Sequence, residues 1–163
     1  MESRAKFAGH SLHQMLVAFP LALLAIAALF DILYFFTRSA TFATTAYHLI
    51  VVGIIGGLAA SLFGLIDWLA IPTNTRARRI GRLHGLGNAA VIVLFAVSCW
   101  MRRANASAPS LAAMALSLAG AGLVLGSAWL GGELLDRLGV GVDEGAHLDA
   151  PSSLSGRPAH SKY

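Results

Sequence analysis

The chain has 163 residues, of which 56% are hydrophobic and only 12% charged, with a formal net charge of +4. A soluble domain usually carries about a quarter charged residues, so this composition excludes an ordinary soluble fold and points to a membrane protein. The basic residues sit between long apolar blocks, as orientation signals do, which argues against a nucleic-acid partner.

The first block, "GHSLHQMLVAFPLALLAIAALFDILYFF", is too long for the core of a signal peptide and no small-residue cleavage site follows it, so it is expected to remain as an anchor. Crossing roughly 30 Å of hydrocarbon takes about 20 mostly apolar residues in a helix. Four stretches meet that test, at 12–36, 45–71, 83–101 and 110–130. Open strands would leave backbone groups unpaired in lipid, so these are helices. Their short connections, "TRSATFAT", "PTNTRARRIGR" and "RRANASAP", favour antiparallel neighbours. The expected fold is all-α, an integral membrane up-down four-helix bundle over 1–141. Beyond it, residues 142–163 are polar and lack apolar periodicity, and they read as a flexible tail holding His147 and His160.

Lysine and arginine set the direction. Arg4, Lys6, Arg76, Arg78, Arg79, Arg82, Arg137, Arg157 and Lys162 share one side, against Arg38, Arg102 and Arg103 on the other. This bias places both termini in the cytoplasm.

Small residues mark the packing faces. Gly53, Gly57 and Ser61 form a small-xxx-small stripe, and Gly120, Gly126, Gly131 and Gly132 give the fourth span a similar run. Close helix packing explains such stripes, and a slot for a flat cofactor is the alternative. Pro20, inside the first span, removes one backbone hydrogen bond near residue 16 and predicts a local bend.

The polar residues fall into two layers. His10 and His13, three apart on one helix face, lie at the termini end of span one. Asp67 lies at the same end of span two, His84 and Asn88 open span three, and Glu133 leaves span four. At the opposite end, Asp31 and His48 have matching depths across the first hairpin, which predicts an Asp31–His48 hydrogen bond or ion pair.

Three readings of the first layer stand open. His13, Asp67, His84, Asn88 and Glu133 could bond one another and cap helix ends, a purely structural role. Alternatively, His13 and His84 could be axial ligands of haem b, with Asn88, Gly131 and Gly132 around it. The third is a zinc or non-haem iron site drawn from His10, His13, His84, Asp67 and Glu133. A proton or small-solute carrier would further need a water path linking Asp31 to Asp67. Cys99 is the lone cysteine, so no internal disulfide or cysteine metal set exists. Phosphate loop, dinucleotide fingerprint and HExxH helix are all missing, and no catalytic residue is assigned.

Four motifs in order, "GHSLHQMLVAFPLALL", "FGLIDWLAIP", "RIGRLHGLGN" and "WLGGELLDRLGVGVDEGAHLDAP", make the chain resemble the bacterial inner-membrane family catalogued as domain of unknown function 2231. The resemblance implies four membrane helices and no established activity. Relatives joined to Rieske-type iron–sulfur domains imply a redox setting and a redox partner protein, and the pattern is similar to membrane b-type cytochromes. His10, His13, Phe19, Pro20, Asp31, Asp67, His84, Asn88, Gly131, Gly132 and Glu133 match the family's pattern. The family carries proline after each of its first two histidines, where this chain has Ser11 and Gln14, which predicts an earlier start for span one.

Overall fold

The computed structural model describes residues 1–161. Four helices form the body: α1 (Leu12–Thr37), α2 (Ala40–Ala70), α3 (Arg76–Arg102) and α4 (Leu111–Gly132). A π-helical turn, Glu133–Arg137, extends α4. Each helix is long and apolar enough to cross a membrane. The surface agrees, since Phe19, Ile55, Leu62, Leu125 and Trp129 all lie exposed. So much outward apolar area is unfavourable in water and ordinary in lipid.

The helices run further than hydropathy alone indicates. α2 begins at Ala40, leaving only Arg38 and Ser39 to turn the chain. α3 begins at Arg76 because Thr75 accepts the Arg78 amide as an N-cap, 3.1 Å. Most of the expected middle loop is therefore helix. Ser110 caps α4 in the same way through the Ala113 amide, 3.2 Å.

Span one does not start early. Residues before it form a small antiparallel hairpin of β1 (Lys6–Phe7) and β2 (His10–Ser11). Its turn needs Ala8 and Gly9 at positive φ, +49° and +83°. His10 thus stands on a strand outside α1 rather than on one helix face with His13. Pro20 is buried within an unbroken α1, and Gly56 and Gly57 on α2 offer it flat ground.

α1 packs mainly on α2 and α3 on α4, with lighter α2–α3 and α1–α4 seams, so α1 and α3 face each other across a diagonal. The two hairpins are built alike. A β-carbon on Gly53 would come 2.6 Å from Leu24, and one on Gly120 2.8 Å from Phe95. Gly53 and Gly120 differ by 67 in number, Leu24 and Phe95 by 71. The same offsets relate further pairs below, so α3–α4 repeats α1–α2. Here the small-residue stripe serves close packing. The central core is apolar: Leu24, Ala27, Ile50, Val91, Phe95 and Val124.

Candidate functional site

His13 sits at the first turn of α1, and its Nδ1 lies 2.9 Å from the Ala60 carbonyl on α2. The ring reaches that backbone because residue 64, one turn on, is glycine; a β-carbon there would come 2.9 Å from His13 Cε1. His84 repeats the device on α3. Its Nδ1 lies 2.8 Å from the Ser127 carbonyl on α4, and a β-carbon on Gly131 would come 3.2 Å from its Cε1. The offsets of 71 and 67 hold for both sets. A carbonyl only accepts, so each Nδ1 carries the proton, and in the neutral ring each Nε2 presents its lone pair.

The two rings meet across the bundle diagonal with centroids 6.3 Å apart and planes at 85°. One feature breaks the equivalence. Asn88 Nδ2 donates to His84 Nε2 at 3.1 Å, while its Oδ1 accepts from Ser127 Oγ at 2.8 Å. His13 has Val17 at the matching position.

The rest of the expected layer disperses. Buried Asp67 accepts from Ser3 Oγ at 2.8 Å and from the amides of Arg4 and Ala5 at 2.7 and 3.2 Å. It anchors the N-terminal strap. Glu133 pairs with Arg76, and exposed His10 bonds the Ala8 carbonyl. Gly132 borders only its own turn, near Asp136. Among the described residues no group of three or more His, Cys, Asp or Glu side chains could hold a metal ion. The five-residue zinc or non-haem iron set is therefore corrected: backbone amides and an arginine have claimed its carboxylates. The mutually bonded structural layer is corrected too, since only His84 and Asn88 of its five members bond each other.

At the far end the Asp31–His48 pair does not form. Arg102 Nη1 and Nη2 donate to Asp31 Oδ1 and Oδ2 at 2.6 and 2.7 Å, and Ser117 Oγ donates to Oδ2. Arg102 also bonds Ser98 Oγ and the Ala113 carbonyl. His48, exposed, donates instead to Thr44 of its own helix, 2.7 Å. A guanidinium fork satisfies both carboxylate oxygens at once, which an imidazole cannot do. Arg102 reads as a loop charge in sequence, yet it is the last residue of α3 and points inward. Its signal was spacing: Asp31 and Arg102 each follow their histidine by eighteen residues. Between the two polar layers lies the apolar core.

The family profile of predicted membrane proteins described as DUF2231 matches residues 9–144. The chain belongs to this family. That span takes in His10, all four helices and the start of the tail, so the DUF2231 unit is the whole bundle with its paired histidines. No curated protein and no solved structure matches the chain.

The tail of this family member turns back on the bundle. Met1 exchanges backbone bonds with Gly139 and Gly141, and Lys6 bridges Glu2 and Asp143. Lys6 is held above its ordinary value of 10.5 by those two carboxylates, and Glu2 below 4.5, chiefly by Lys6.

Proposed function

We propose that the chain is a small membrane redox component in which His13 and His84 would hold haem b. The observation that carries this is the paired anchoring: two imidazoles on equivalent positions, each with Nδ1 on a backbone carbonyl, at 6.3 Å. Ligating histidines are commonly oriented by such a bond from the other ring nitrogen. With each Nδ1 committed to a carbonyl, the two Nε2 atoms are the nitrogens that would hold the group. The donor chemistry therefore fits the group.

Bound haem would supply reversible one-electron transfer. The chain's own residues do the rest. Ala60 and Ser127 hold the ring tautomers, Gly64 and Gly131 make room for the rings, and Asn88, which donates to His84 Nε2, would have to release that nitrogen for it to serve as a ligand. The exposed apolar helix faces keep the site within a lipid shell.

The setting is the inner membrane with both termini cytoplasmic. Arg102 is consumed inside the bundle, so the arginines opposing the nine-residue bias shrink to Arg38 and Arg103. A redox partner protein would then meet the termini face. Bare zinc or iron is disfavoured because two nitrogens fall short of the four ligands a closed site needs.

The test is an absorbance spectrum of the protein purified from haem-replete membranes. A Soret band is expected, lost in His13→Ala and in His84→Ala. Wild-type protein with no such band and no extractable haem ends the proposal.

A further inference from the structure

We propose that Arg79 and Arg82 bind the phosphate of an anionic phospholipid whose acyl chains lie along Leu83, Leu86 and Val93. The argument begins with an excess of charge. α3 opens with Arg76, Arg78, Arg79 and Arg82, and the chain has no acidic residue between Asp67 and Glu133. Arg76 and Arg78 in the first turn face the positive end of the helix dipole, and four like charges close together on one helix repel one another, so an anion beside them is favoured.

Two find partners inside the protein. Arg76 pairs with Glu133. Arg78 stacks 3.9 Å over Trp68 and donates to the Trp68 and Ile71 carbonyls, closing the end of α2. Arg79 and Arg82 are exposed, and neither reaches a carboxylate among the described residues. Spaced by three, they share a face.

The first hairpin has no such extension. Leu12, the first residue of α1, corresponds to Leu83, yet α3 starts seven residues earlier than that. The added turns lead onto the most outward stripe of α3, where Leu83, Leu86 and Val93 are 52%, 62% and 60% exposed. From Arg82 to Val93 the helix rises about 16 Å, close to one leaflet's share of a hydrocarbon core of roughly 30 Å. A ligand with an anionic head and an apolar tail of that length is a phospholipid.

The protein in neutral detergent is offered equal phosphatidylglycerol and phosphatidylcholine with identical chains, and retained lipid is counted by native mass spectrometry. Wild type should prefer phosphatidylglycerol on the order of tenfold. Arg79→Gln/Arg82→Gln should lose that preference, each single change should lose part of it, and Arg103→Gln at the far end should keep it. Equal retention by wild type, or an undiminished preference in the double variant, overturns the proposal. So does inorganic phosphate retained through Arg79 and Arg82 while the two lipids are retained equally, since the site would then take free phosphate.

Discussion

Asp31 and Arg102 close on each other across the diagonal of the bundle, two hydrogen bonds of 2.6 and 2.7 Å between side chains with no exposed surface. They occupy equivalent positions in the two helical hairpins, as His13 and His84 do at the other end. Opposite charges thus replace what an exact repeat would make a pair of like residues.

Breaking that pair leaves a buried charge alone. Asp31→Asn or Arg102→Met should each cost about 3–5 kcal/mol. The double variant Asp31→Leu/Arg102→Met should recover much of the loss, because both charges go together. Unfolding in a detergent titration measures this. Single variants within about 1 kcal/mol of wild type would contradict the burial. His48→Ala, by contrast, should shift stability by no more than about 0.5 kcal/mol, as its partner is its own helix.

The glycines beneath the imidazoles predict coupling. Gly64→Ala forces the His13 ring off the Ala60 carbonyl and should cost about 1–3 kcal/mol. In a His13→Ala background the same change should cost little, since nothing remains to clash. A double-mutant cycle reads the interaction, expected between about 0.5 and 3 kcal/mol. Additive effects would mean that Gly64 serves the backbone alone.

Asp67 holds the N-terminal strap through acceptors only. Asparagine would turn an N–H toward the donors of Ser3, Arg4 or Ala5. Asp67→Asn should therefore speed tryptic cleavage after Arg4 and Lys6 while far-UV helicity stays the same. Equal cleavage rates in the two proteins would rule out the tether.

The contact between strap and tail should depend on pH at both extremes. Glu2 is lowered by Lys6, so its contribution is present above its ordinary value of 4.5 and fades as pH falls through the lowered one. Lys6 is raised by Asp143 and Glu2, so its contribution is present below 10.5 and fades as pH rises through the raised value. Amide exchange of Glu144, whose N–H bonds Glu2, should show constant protection from about pH 5 to 10 once corrected for intrinsic rates. A midpoint near neutrality would assign the contact to other groups.

Much of the candidate site was legible in residue types and depth: His13 and His84 do share a level, and Asn88 does join them. What misled was partner choice. Asp67 and Glu133 stand at the same level, but a strap amide and an arginine take their oxygens first. Periodicity cannot see a competitor that arrives from a distant part of the chain.

Composition and the lengths of the apolar blocks determined by themselves that four helices cross the membrane, because lipid tolerates backbone only when it satisfies its own hydrogen bonds. Which partners the buried carboxylates take was decided by the tertiary structure. Arg102 rather than His48 reaches Asp31, and the N-terminal strap rather than a histidine takes Asp67, because α1 and α3 face each other across the diagonal and the strap folds back on α2, directions that a linear count of depths does not contain.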